Sequence, residues 1–114
     1  QFDFVDQSIV VDLEKIVYIL VYKHYLDFYI REDDSIKIYR MRETMQCIQE
    51  QLKDTNMFSL VRAGNLLNLK YVKSINRKGF VSVAANVTKR SFQLSDSRKT
   101  QFMSDYMRYR GGGI

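Results

Sequence analysis

The amino-acid sequence predicts a mostly β domain of the α+β class, and three observations carry that prediction. Short runs rich in Val, Ile, Tyr and Phe, suited to a pleated half-buried surface, recur between polar turns along most of the chain. Only two stretches change to helical spacing. The 114 residues are 46% hydrophobic and 27% charged, a globular mixture with enough apolar material for one core and too little length for two. The tally is eight to ten short strands and two helices.

Taken in order, Ser8 to Leu13 and Lys15 to Tyr22 read as strands, and Tyr25 to Arg31 continues in the same style. Glu32, Asp33, Asp34 and Ser35 form a polar turn, after which Ile36 to Arg40 alternates, so the pair predicts an antiparallel hairpin. The period then changes. Met41, Met45, Ile48 and Leu52 recur at spacings of four, three and four, one face of an amphipathic helix that ends at Asp54, Thr55 and Asn56. Cys47 lies beside that stripe and is expected to be a packed, unreactive thiol. Strands resume at Phe58 to Arg62 and Tyr71 to Ile75. Asn76 to Gly79 is a turn with glycine placed for an unusual backbone angle, and Phe80, Val81 and Val83 form the return strand. A further turn is expected through Ala84, Ala85 and Asn86, then a strand from Thr88 to Leu94. Ser95 or Asp96 can cap a last helix whose expected buried face is Phe102, Met103 and Tyr106. Residues 1–110 are assigned to one domain and 111–114 to a disordered tail.

Charge is divided along the chain. Residues 1–57 carry seven Lys/Arg against eleven Asp/Glu, a balance of −4, whereas residues 58–114 carry eleven against two, a balance of +9. A half-chain this basic suits a polyanion, because each cation that neutralises a phosphate releases a counterion. Several chemistries find no support. One histidine and one cysteine rule out zinc sites built from several such ligands, and there is no glycine-rich phosphate loop. Ser, His and Asp occur without a recognisable nucleophile turn, so no enzyme and no cofactor are expected. The richest apolar stretch, Ile16 to Leu26, is broken by Lys23 and His24, so no membrane helix or signal peptide is indicated. The lone thiol favours a reducing, cytoplasmic setting, in which the Asn86-Val87-Thr88 sequon carries no meaning. A first residue of Gln suggests a segment excised from a longer chain.

The segment from Phe58 to Ile75, with Val61, Arg62, Ala63, Gly64 and Asn68 in order, resembles the LytTR signature, in which Phe-x-x-(Val/Ile)-His-Arg-Ser-x-x-Val-Asn precedes an apolar strand. The preceding helix, the opening run Leu13 to Ile19, the strand pair around Lys23, His24 and Tyr25, and the late Leu94 to Arg98 all fall where that family has its counterparts. The resemblance covers about residues 8–108; its specificity lies in the order and spacing of the pieces.

This resemblance implies an elongated, largely antiparallel domain of small sheets with one packed helix and a C-terminal helix. It implies sequence-specific binding of double-stranded DNA in bacterial transcription regulation, with loops entering major grooves at direct-repeat promoter sites and bending the DNA. Members usually follow a phosphorylatable receiver domain in two-component response regulators, so the isolated domain is expected to be a monomer and the full-length protein a dimer on DNA. Three loops carry the family's contacts. They map onto Lys23, His24 and Tyr25, onto Arg62, Ala63 and Gly64, and onto Ser97, Arg98 and Lys99. Lys73, Arg77, Lys78, Lys89 and Arg90 are candidate phosphate contacts. The chain departs from the family at the middle loop. Arg62 then Ala63 replace His then Arg, and Gly64 replaces a hydroxyl; the alanine methyl can touch a thymine methyl but cannot hydrogen-bond a base edge. Asn68 is retained and is read as fixing the loop through side-chain-to-backbone hydrogen bonds.

Two other readings fit the residues. One is a protein-interaction module on the same fold that has lost base reading, with the acidic first half as its working face. The other is single-stranded RNA binding on an aromatic sheet, for which Tyr22, Tyr25 and Tyr71 are the aromatics beside basic residues.

Overall fold

The computed structural model describes residues 2–84 and 89–111. Its centre is a five-stranded antiparallel sheet. In chain order its strands are β3 (Ile16–Tyr22), β4 (Tyr25–Glu32), β5 (Ser35–Met41), β6 (Phe58–Arg62) and β7 (Asn65–Asn68), arranged in space as β5-β4-β3-β7-β6. A short hairpin of two-residue strands, β1 (Phe2–Asp3) and β2 (Ser8–Ile9), and the helix α1 (Met45–Leu52) cover one face. The other face carries a three-stranded antiparallel sheet, β8 (Val72–Ile75), β9 (Phe80–Val83) and β10 (Ser91–Gln93), together with the C-terminal helix α2 (Lys99–Arg110). The domain is mostly β and elongated, with a longest extent of 40 Å against 30 and 29 Å.

Coverage on both faces explains the apolar runs. Ile16 and Ile19 pack with Leu26, Phe28, Ile48 and Leu66 toward α1, while Val17 and Tyr18 pack with Val61, Val81, Phe92 and Phe102 toward the smaller sheet. A register shift between Ile16 and Tyr18 turns two consecutive side chains, Val17 and Tyr18, to the same core, and with both faces covered all four residues from Ile16 to Ile19 are buried. Burying each such aliphatic or aromatic side chain contributes about 1.5–3 kcal/mol.

The predicted hairpin is present, with Arg31 opposite Ile36 and Glu32 opposite Ser35. Several elements differ from expectation. The strand expected from Ser8 to Leu13 stops at Ile9, and Leu13–Lys15 is a 3₁₀ turn, because the Asp12 carboxylate accepts from the Glu14 N–H at 3.1 Å. The first helix starts at Met45, not Met41, since Thr44 caps it by accepting from the Cys47 N–H. Met41 closes β5 opposite Leu26, and being buried there it mimics the helical period. Cys47 is half-buried, its sulfur accepting from the Gln51 amide at 3.8 Å. Strand β7 is not separated from its surroundings by the sequence pattern. In α2 the buried residues are Phe102 and Asp105, whereas Met103 is exposed, one position round the helix from Phe102. Tyr71 is buried, its hydroxyl donating to the Glu14 carbonyl at 2.5 Å, and so offers no stacking platform. Of the turn expected at 84–86 and the strand expected from Thr88, residues 85–88 lie outside the described residues, as do 112–114 of the tail.

Candidate nucleic-acid interface

Two tight turns lie at the same end of the central sheet. Lys23 and His24 join β3 to β4, with Tyr22 opposite Tyr25 and Lys23 left-handed at φ 56°. Ala63 and Gly64 join β6 to β7, with Arg62 opposite Asn65. The Val21 N–H donates to the Gly64 carbonyl at 2.9 Å, tying the two turns together across the β3–β7 seam. The gaps they bridge are two strand spacings apart, about 10 Å. Gly64 has φ 81°, and a Cβ there would meet Val21 at an ordinary 3.4 Å, so conformation and not space restricts the position. Gly64→Ala is therefore expected to cost about 1 kcal/mol, measurable as a lowered urea midpoint.

The third segment is docked on the next strand. The Ser95 N–H donates to the Val61 carbonyl at 2.9 Å, and Ser97 and Lys99 follow, both exposed. Arg98 turns inward. Its Nε donates to the Leu60 carbonyl at 3.1 Å and its Nη2 to Ser59 Oγ at 3.4 Å, and Nη2 lies 4.0 Å from Asp105, leaving the side chain 26% exposed. These bonds cover part of the open edge of β6, which would otherwise present unpaired backbone groups. Asp105 is the hub: it accepts from Ser59 at 2.7 Å, Gln101 at 2.7 Å and Arg108 at 3.1 Å.

A fourth segment joins the row. The turn from Asn76 to Gly79 is braced by Asn76 Oδ1, which accepts from the Lys78 and Phe80 N–H groups, and Gly79 has φ 86°. Its Gly79 carbonyl accepts from the Leu94 N–H at 2.7 Å, placing Arg77 and Lys78 beside the strand that leads into Ser95. Backbone hydrogen bonds thus link 76–79 to 94–95, 95 to β6, and the 63–64 turn to the end of β3. Arg40 and Arg42 flank the same end, because Met41 pairs with Leu26 close to the 23–24 turn. Sequence reasoning missed both, having no signal for the register that brings them there.

Among the described residues, Lys23, Arg62, Arg77, Lys78 and Lys99 form no ion pair, so their charge is not neutralised internally. Lys23 lies over the Tyr22 ring at 5.5 Å. His24 and Ala63 are exposed and Tyr25 is half-buried. Three of the expected cations are elsewhere. Lys73, Lys89 and Arg90 stand toward the opposite end of the smaller sheet from the 76–79 turn, and the Arg90 guanidinium sits 5.6 Å from both the Tyr18 and Tyr29 ring centres. At the far end of the central sheet lie Asp12, Glu14 and the Glu32–Asp34 corner, partly offset by Lys15, Arg31 and Lys70.

Asn68 lies at the other end of β7 from the 63–64 turn. Fully buried, it donates to the Ile16 carbonyl at 2.8 Å and accepts from the Lys70 N–H at 2.9 Å; these are the expected side-chain-to-backbone bonds, but they fix the β7 exit against the β3 entry and not the 62–64 loop. Among the described residues no cluster of His, Cys, Asp or Glu could hold a metal ion, and no helix is long and apolar enough to cross a membrane.

A family model described as the LytTr DNA-binding domain matches residues 6–106. No curated protein matches the chain.

Proposed function

The chain belongs to the LytTR family, whose domains bind DNA in transcription regulation, and from that premise we propose that it reads double-stranded promoter DNA sequence-specifically with the turns at one end of its central sheet. The observation that supports this reading most is the row of hydrogen-bonded turns whose cations, Lys23, Arg62, Arg77, Lys78 and Lys99, have no internal ion partner. Unneutralised cations on a braced backbone release counterions from phosphates without first breaking an ion pair. The spacing of the first two turns, about 10 Å, is close to the ~12 Å width of a major groove.

In this reading His24 and Arg62 meet base edges, with Tyr25 and Ala63 beside them as apolar contacts. Lys23, Ser97, Lys99, Arg77 and Lys78 position the backbone. Arg98 takes part with the guanidinium donors not already spent on Leu60 and Ser59. Lys73, Lys89 and Arg90 engage phosphates where the duplex bends toward their end. The domain serves as a cytoplasmic, non-enzymatic output module of a bacterial two-component response regulator. It is monomeric alone and paired on direct repeats in the full protein, where tethering raises the effective concentration of the second copy.

Titration of direct-repeat and scrambled duplexes at moderate salt, followed by fluorescence anisotropy, tests the proposal. Equal affinity for the two sinks it and favours a protein-interaction module; tighter binding of single strands favours RNA. Two substitutions sort the contacts. Arg62→Ala is expected to cost about 1–3 kcal/mol on the preferred duplex and to flatten sequence preference. Lys99→Ala is expected to weaken all duplexes alike and to reduce the salt slope by about 1.

A further inference from the structure

The turn that carries Lys23 and His24 stands on a four-residue cluster. Tyr22 and Tyr25 are direct cross-strand partners at its base. The Arg40 guanidinium, from the adjacent strand β5, lies 4.9 Å from the Tyr22 ring centre and 5.3 Å from that of Tyr25. It is held there by Asp27, which accepts from Arg40 Nε at 2.8 Å and from Nη2 at 3.0 Å. Asp27 is buried, so this two-point bond has a fixed anchor. The Arg40 backbone is pinned as well, its carbonyl accepting from the Val5 N–H at 2.8 Å. Three strands therefore meet in one planar group at the root of a two-residue turn.

We propose that Arg40 is a positioning residue for DNA recognition: clamped by Asp27 over the Tyr22 and Tyr25 rings, it sets the direction in which Lys23 and His24 leave the sheet. The proposal rests on the DNA-reading function above. A lysine keeps the charge but has neither the planar face nor the two-point geometry, so it cannot make this clamp. The competing role is a direct phosphate contact, which the 43% exposure of the Arg40 side chain would permit.

Asp27→Asn separates the two roles by sign. It adds one positive charge to the protein and frees the guanidinium. A phosphate-contacting Arg40 would then bind all duplexes more tightly, with a steeper salt slope. A positioning Arg40 loses its anchor, and affinity for the preferred duplex falls roughly 5- to 10-fold, the low end of couplings between sites. Arg40→Lys is expected to show the same loss, and in a His24→Ala background the loss should shrink, since both changes act through one turn. A readout without DNA accompanies these. Amide hydrogen exchange at Lys23, His24 and Tyr25 should accelerate in Arg40→Lys and Asp27→Asn while the exchange of the β7 amides stays as in the parent. Tighter binding by Asp27→Asn, full retention of affinity by Arg40→Lys, or unchanged exchange in the turn each overturn the proposal. If the parent domain shows no duplex preference, the functional reading fails by itself, and the exchange experiment still decides whether Arg40 holds the turn.

Discussion

Asn68→Ala is expected to lower the free energy of unfolding by about 3 kcal/mol, a large fraction of the 5–15 kcal/mol typical of a domain. The side chain is fully buried, and its truncation leaves the buried Ile16 carbonyl without this donor and the part-buried Lys70 N–H without its acceptor. A weaker bond, to the Leu13 carbonyl at 3.5 Å, disappears with them. Chemical denaturation reads the effect as a drop of about 2 M in the urea midpoint. Asn68→Asp gives a second check. It retains an oxygen for Lys70 but sets a carboxylate against the Ile16 carbonyl, so it should cost at least as much as alanine despite its near-identical shape. A loss under about 1 kcal/mol in both variants would mean that the strand ends find other partners.

Asp105→Ala is the second large effect, at about 2–3 kcal/mol or roughly 10 °C in Tm. The carboxylate collects Ser59, Gln101 and Arg108, with Arg98 at 4.0 Å, and so joins α2 to the edge strand β6. Its removal strands a buried hydroxyl beside an arginine that is only partly solvated. Asp105→Asn should recover part of the loss, because its amide oxygen can still accept from one donor. The full buried-pair penalty does not apply, since Arg108 is 53% exposed and water screens it. Differential scanning calorimetry distinguishes the ordering parent, Asn, Ala from a model in which α2 is held by Phe102 alone, where Asn and Ala would be alike.

Both residues bear on what a sequence can disclose. Asn68 is legible only in part: its retention in the family pattern points to side-chain-to-backbone bonds, and the local one from the Lys70 N–H is present, whereas the bond to the Ile16 carbonyl spans 52 residues and has no signal in the sequence. The β4–β5 hairpin and the braced 76–79 turn were legible, since their determinants are neighbours in the chain. Asp105 was not. Its partner Ser59 is 46 residues away, and nothing in α2 tells which face meets β6, so the sequence pattern points to Met103 as buried and gives no signal for the carboxylate. Strand β7 was obscured because Leu66 and Leu67 are buried toward opposite cores, which removes the alternation that marks a half-buried strand. At the candidate interface, the 23–24, 62–64 and 97–99 segments were found by resemblance. The inward turn of Arg98, the grouping of Arg77 and Lys78 with the other turns, and the Arg40 clamp all depend on strand register, which alternation leaves open.

The separation of charge between the two ends of the central sheet has a kinetic consequence. Turns rich in unpaired cations at one end and the Glu32–Asp34 corner at the other give the domain an electric polarity along its strands. In the field of a duplex such a molecule is expected to experience a torque as well as an attraction, so that the end bearing the basic turns approaches foremost before any contact forms. Fewer collisions are then wasted on the wrong face, and the fraction of encounters that mature into complexes becomes a property of the whole charge distribution.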